Sequence, residues 1–291
     1  MDLSLLGQLT ASGIVVGSSY ALLGVSFGVI YATTRIFHLA HAVAYASAAY
    51  AAVWSSNTLG MPLPMSLILG LVVAVALGLL IEVVFYRPMR NRNATLLSVF
   101  LVSLGISVAF PNLLQIIFGP DNQTLPRPDN PTMALGSVTL SRHDLVSIVI
   151  AWVLIAATAT FIARTRFGRS VTAMRTNPAM AEAVGIDGKK VYLLVFAIGS
   201  FLVAVAGLLF TTKGVATPTM GLAPTLTGFI AAFLGGIGSL WGAALGGLLL
   251  GLLSSWSAMF MQVNFGPVVV FGAMFLILLI RPQGLLGKAA A

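Results

Sequence analysis

The sequence contains no cysteine, which excludes disulfides and thiolate metal sites and leaves the redox compartment unmarked. Charge is also scarce: 8% of the 291 residues are charged, against about 25% in soluble domains. Seven acids and three histidines leave little material for acid–base catalysis. No Gly-x-x-x-x-Gly-Lys-Ser/Thr loop occurs, and Gly287-Lys288 has neither its spacing nor its hydroxyl. Neither a His-Glu-x-x-His zinc pattern nor a Gly-x-Ser-x-Gly nucleophile elbow is present. The chain therefore reads as non-catalytic, with no metal and no cofactor of its own.

Apolar sequence takes up the rest. Hydrophobic residues make up 58% of the chain, and the mean hydropathy is +1.02. So little polar surface cannot cover a water-soluble fold, and lipid must supply the apolar surroundings. A spanning helix takes about 20 apolar residues. Nine runs qualify: Leu9–Tyr31, Phe37–Trp54, Leu63–Phe85, Thr95–Phe118, Leu145–Ala163, Val191–Thr212, Leu222–Gly238, Gly242–Phe260 and Phe265–Ile280. They predict an all-α polytopic bundle of about eight or nine spanning helices, one transmembrane domain over residues 1–291. The Gly-rich stretch Leu222–Gly251 is the place for re-entrant or half-length helices, which membranes tolerate when protein buries them. The start, Met1-Asp2-Leu3, is acidic where a secretory signal is basic, so the first run is expected to stay as a spanning helix.

The formal charge of +8 reflects topology, and no nucleic-acid partner is expected. Basic residues gather in connections between apolar runs: Arg87, Arg90 and Arg92; then Arg164, Arg166, Arg169, Arg175, Lys189 and Lys190; then Arg281 and Lys288. With Arg35 these make twelve on one side, against Arg127, Arg142 and Lys213 on the other. Positive residues are retained inside, which places the N-terminus outside and the C-terminus in the cytoplasm. Residues 119–144 then form an extracytoplasmic loop, in which Pro120, Pro126, Pro128 and Pro131 oppose regular helix. Within it Asn122-Gln123-Thr124 fits a glycosylation pattern that is common by chance. Lys213 closes a helix on the same side, where snorkelling is its default role and receiving an anion the alternative.

Small residues recur every four positions at Gly238, Gly242 and Gly246 and at Gly247 and Gly251, with Ser239 and Ala243 in one row. Such faces let helix backbones approach closely, for packing alone or as a thin wall beside a solute path. Pro111 and Pro267 are expected to kink or end helices. Glu82 lies late in an apolar run and reads as an interfacial partner for Arg87 or Arg90. His38 and His41, three apart, are expected on one side of a helix. A metal pair, a hydrogen-bonded structural pair and a place in a solute path are the open readings.

The cytoplasmic loop 164–190 has a design of its own. Asn177 is a good N-cap, Pro178 sits where a missing N–H costs nothing, and Ala179–Val184 are mostly strong helix formers. Gly185 stands where a left-handed residue ends a helix. Upstream, Phe167, Val171 and Met174 share a helical face, with Arg169 and Arg175 away from its centre. A helix of two turns is marginal in water. Either its own bundle or a docked partner must hold it.

This loop resembles the coupling segment of bacterial ABC importer permeases of the branched-chain amino-acid type, the LivH family. Arg175, Asn177, Pro178, Ala181, Gly185 and Ile186 match the family pattern of an Arg, Asn-Pro, a small-residue helix and Gly-Ile. Gly17-Ser-Ser-Tyr-Ala-Leu22 resembles the first-helix motif, and Tyr86-Arg87-Pro88 with Arg90 resembles the basic loop. Gly228-Phe229, Gly235-Gly-Ile-Gly-Ser239 and Gly242-Ala-Ala-Leu-Gly-Gly247 resemble the late Gly-rich motif. Arg281-Pro282-Gln283-Gly284-Leu285 and Gly287 resemble the C-terminal end.

The resemblance implies the permease subunit of an ATP-driven importer in the bacterial inner membrane. Its implied partners are a second permease, expected as a paralogue in a heterodimer, two ABC ATPase subunits carrying ATP and Mg, and an extracytoplasmic solute-binding protein. Coupling to the ATPase falls on Gly168, Arg169, Arg175, Asn177, Pro178, Ala181, Glu182, Gly185 and Ile186. A substrate path is expected near His38, His41 and Tyr45 and near Gly235, Gly236 and Ser239. One segment departs. Where the family reads Asn-Phe-Ala-His-Gly and then an acid, this chain has His38, Leu39, Ala40, His41, Ala42 and Val43. Branched-chain or related amino acids are the expected solutes, with urea, amides or aromatic and other carboxylates as the alternative. Rival classes fit less well. A secondary transporter is expected to show mid-span acids, a membrane enzyme a constellation of acids or histidines, and a passive channel needs no coupling loop.

Overall fold

A computed structural model describes residues 3–126, 130–136, 138–260 and 265–287. Met1, Asp2, Arg127, Pro128 and Lys288, named above, lie outside them. The helices run in order as α1 (Leu3–Thr34), α2 (His41–Asn57), α3 (Leu63–Ile81), α4 (Arg87–Asn91), α5 (Leu96–Phe118), α6 (Arg142–Arg164), α7 (Arg166–Thr176), α8 (Pro178–Ala183), α9 (Gly188–Lys213), α10 (Leu222–Gly235), α11 (Leu240–Ser257) and α12 (Gly266–Ile280). A π-helical turn, Glu82–Tyr86, joins α3 to α4, and a hairpin of β1 (Thr132–Leu135) and β2 (Val138–Ser141) precedes α6.

All nine apolar runs fall on helices. Six helical stretches among the described residues are long and apolar enough to cross a membrane, and α10 and α12 are shorter apolar helices of 14 and 15 residues. Three sequence-based expectations change. The run from Phe37 is not helical until His41, because Arg35 takes a left-handed conformation (φ 59°) and breaks the chain after α1. The helix expected to reach Gly238 stops at Gly235, where Gly236 (φ 101°) and Gly238 (φ 90°) turn the backbone. Pro111 sits inside an unbroken α5, while Pro267 stands at the start of α12.

The chain divides into two compact units. In the first (1–28, 127–156 and 226–291), α11 lies against both α1 and α10 through glycine. A Cβ on Gly247 or Gly251 would strike the backbone of Ala21 or Gly17, and one on Gly242 or Gly246 that of Gly235 or Ala231. The every-fourth pattern thus serves two faces of one helix. Ile230, Ala231, Leu234, Leu250 and Val270 form its buried core. Past α12 the chain returns to α10: Leu285 N–H donates to Leu234 O (2.8 Å) and Leu286 N–H to Gly235 O (2.9 Å). Two carbonyls left open by the end of α10 are satisfied in this way. Gln8 exchanges two hydrogen bonds with the Thr139 backbone (3.1 and 2.8 Å), tying the hairpin to α1. Ser141 and Asp144 cap α6 reciprocally.

In the second unit (29–126 and 157–225), α2 is buried almost end to end. Its alanine-rich sequence explains this, since small side chains let neighbours reach its backbone. Gly70 of α3 faces Ala48 O, and Gly207 of α9 faces Tyr45 O. After α5, Gln123 and Ala216 exchange backbone hydrogen bonds (2.9 and 2.8 Å), and Asn57 donates to Thr124 O (3.0 Å). The start of the proline-bearing loop is therefore anchored.

Candidate functional site

The segment α7–α8–α9 takes the form its sequence predicts. Thr165 caps α7, accepting from Gly168 N–H (3.0 Å). Gly168 must be glycine, because any Cβ would run into the Ile162 backbone. Gly168, Val171 and Met174 form the buried face of α7. Phe167 was expected on that face, but it is 38% exposed and Gly168 takes the place. Position 168 is one step along the same 3.6-residue repeat, and there a backbone contact substitutes for a side chain.

Asn177 caps α8 by accepting from Met180 N–H (3.1 Å), with Pro178 in the first turn. At the far end Gly185 is left-handed (φ 91°), Gly185 N–H donates to Glu182 O (3.0 Å) and Ile186 N–H to Ala181 O (3.0 Å). This pair of bonds is the Schellman ending. Asp187 then caps α9 at once, accepting from Lys189 N–H and Lys190 N–H (3.0 and 3.3 Å). Gly188 packs against Met174 and Glu182, so α7, α8 and the first residue of α9 are locked together.

Of α8 only Ala181 is buried. Met180 and Val184, four apart on one face, are 62% and 71% exposed. Arg169 and Arg175 are exposed on the preceding helix. The result is a short helix stiffened by its caps that presents an apolar spot, following a helix with exposed basic residues. Such a spot suits a groove on another protein.

The second cluster is buried. His38 and His41 do not share a helix, yet their rings lie 5.2 Å apart, edge to face. His38 Nδ1 and the Tyr86 hydroxyl share a 2.8 Å hydrogen bond, and Phe196 of α9 packs edge-on to His38 at 5.0 Å. Ala40 N–H donates to Ser103 Oγ of α5 (2.9 Å). Glu82, fully buried, accepts from Arg90, whose guanidinium lies 3.9 Å over the Tyr192 ring. Of the two expected partners, Arg90 is the one that pairs with Glu82. His38 Nε2, Glu82 Oε2, Arg87 Nε and Nη2 and Arg90 Nη1 are buried with no hydrogen-bond partner among the described residues.

The remaining expected path residues have local structural roles. Tyr45 is buried against Gly207 and Phe210. Gly235 abuts Gly242, Gly236 meets Gln283 and Gly287, and Ser239 caps α11 by accepting from Gly242 N–H (3.0 Å). Sequence reasoning missed Ser103, Tyr192 and Phe196. The aromatic pair four residues apart in α9 was its one available sign.

Residues 9–280 match the family model described as a branched-chain amino acid transport system permease component. The chain belongs to that family. This permease is 32% identical to the high-affinity branched-chain amino acid transport system permease protein BraD of Pseudomonas aeruginosa, covering 97% of this chain and 95% of that one. It is 30% identical to LivH of Escherichia coli K12, over 95% and 94% of the two chains. The probable branched-chain amino acid transport permease LivH of Methanocaldococcus jannaschii is 25% identical, over 94% and 90%. No solved structure matches the permease.

Proposed function

We propose that this permease forms half of the translocation pathway of an ATP-driven, binding-protein-dependent importer in the bacterial inner membrane. It carries branched-chain or related small amino acids. The other half is a second permease, a paralogue. Two ATPase subunits bind ATP and Mg and grip α8, and a solute-binding protein delivers from outside. The N-terminus faces outward and the C-terminus the cytoplasm, as the distribution of basic residues favours. The chain itself supplies no catalysis.

The observation that carries this reading is α8: a helix too short to stand alone, capped at both ends, with Met180 and Val184 exposed on one face. ATP binding then drives transport through its different affinity for outward- and inward-open states, the only way a ligand shifts such an equilibrium. The test is uptake in proteoliposomes holding both permeases, the ATPases and the binding protein. Uptake should vanish when the ATPases are left out. Uptake persisting on an ion gradient alone contradicts the proposal.

A second reading of the solute has its own support. At the departure from the family pattern, Ala42 and Val43 line a crevice of about 10 Å³ with Ala46, Ser107, Pro111 and Pro218. A crevice of that size holds about one water, so the support lies in the lining: Ala42 and Val43 put no acid where the family has one, which removes a partner for a free ammonium group and favours an amide, urea or another carboxylate. Binding assays on the cognate receptor with leucine, urea and phenylacetate separate the two.

A further inference from the structure

The Arg90–Glu82 pair, with Glu82 fully buried and Arg90 half-buried, has no role in the proposed function so far. A buried ion pair is weak evidence for stability, since apolar residues of like volume often do as well. This one is also incompletely satisfied: Glu82 Oε2, Arg90 Nη1 and two nitrogens of the neighbouring Arg87 are buried with no partner among the described residues. Such atoms are costly in a conformation that never changes. Glu82 is also the first residue of a π-helical turn, a widened backbone found mostly at working sites.

Its surroundings connect two regions already described. One face of α9 carries Tyr192, Phe196 and Ser200 at four-residue steps. Tyr192 lies under Arg90, Phe196 packs on His38 and Tyr86, and Ser200 faces Gly78 of α3 closely enough to bar a Cβ there. The same helix is capped by Asp187, one residue beyond the end of the α8 motif, and begins at Gly188. From α8 the line of contact therefore runs through Tyr192 to Arg90 and Glu82, across the π turn to Tyr86, and on to His38.

We propose that Arg90 and Glu82 are positioning residues that carry the movement of α8, through Tyr192, to the His38 segment. This rests on the reading of α8 as the part gripped by the ATPases. Motion of α9 shifts the ring beneath Arg90; the pair moves with it, and the π turn absorbs the change before Tyr86 repositions His38. The unpartnered atoms find their partners in the other state.

The test uses the complete reconstituted transporter and counts ATP hydrolysed per solute carried, beside ATPase retention and thermal stability. The double variant Glu82→Gln/Arg90→Met removes both charges together. It should assemble, keep its ATPases and hydrolyse ATP, while solute carried per ATP falls at least tenfold. A double variant with wild-type stoichiometry shows that the pair only holds the fold, and overturns the proposal. If that variant is not recovered folded, Tyr192 decides. Tyr192→Leu should lower solute per ATP several-fold while Tyr192→Phe, which keeps the ring, stays close to wild type; equal ratios for the two overturn the proposal. A wild-type complex that loses its ATPases overturns the importer reading instead, so the two failures are told apart.

Discussion

Helices α11 and α8 are held in opposite ways. In α11 backbone meets backbone: Gly242, Gly246, Gly247 and Gly251 each leave no room for a Cβ. In α8 one side chain is buried, and the ends do the holding through Asn177, Gly185 and Ile186. A glycine-lined contact fixes where a helix lies and tolerates no added atom. A capped helix keeps its shape while its surface stays open to change. Damage to α11 should therefore appear as lost fold, and damage to the exposed face of α8 as lost partnership.

Variants can sharpen that contrast, starting with the pair that belongs to neither class. Glu82→Ala leaves the half-buried Arg90 without its partner and should destabilise the protein by about 3 kcal/mol, the low end for a broken buried pair because Arg90 keeps some solvent contact, read as a fall in thermal midpoint in detergent. Gly251→Val drives side-chain atoms into Gly17 and should cost about 1–3 kcal/mol or more, seen in the same melt and in membrane yield. Asn177→Ala removes the α8 cap at about 1 kcal/mol locally, so limited proteolysis of the 164–190 loop should quicken while the melt barely moves. Met180→Ala with Val184→Ala should change stability by less than about 0.5 kcal/mol, as exposed positions do, yet release the ATPases during purification. Full retention of the ATPases by that variant, with loss by Gly251→Val at unchanged stability, would reverse the contrast.

The two regions were not equally legible in the sequence. The α8 segment could be read residue by residue, because caps are local: Asn177, Pro178 and Gly185 announce a start and a stop without reference to the rest of the fold. The nine apolar runs were as clear, since length and hydropathy suffice. Which face of each run is buried could not be read. Where both faces are apolar, no periodicity separates lipid from protein, so Tyr192 and Phe196 vanished into α9. The break after α1 was hidden for another reason. It turns on Arg35, a residue type that gives no sign of a left-handed backbone. The pairing of Glu82 with Arg90 was visible from spacing and charge, but its depth depends on α9 folding over it. Gly168 stood out in the sequence only as part of the coupling segment, and its tight contact with the Ile162 backbone could not be read because it depends on how α7 turns back on α6.

The absence of cysteine makes the central claim directly measurable. A single Met180→Cys is then a unique thiol on the exposed face of α8, and Ile116→Cys is a control on the exposed face of α5. With a short thiol-to-amine cross-linker applied to the complete transporter in membranes, Met180→Cys should join the ATPase subunit and Ile116→Cys should not. Cross-links from Met180→Cys only within its own chain, in a complex that is actively importing, would contradict the claim that the ATPase grips α8.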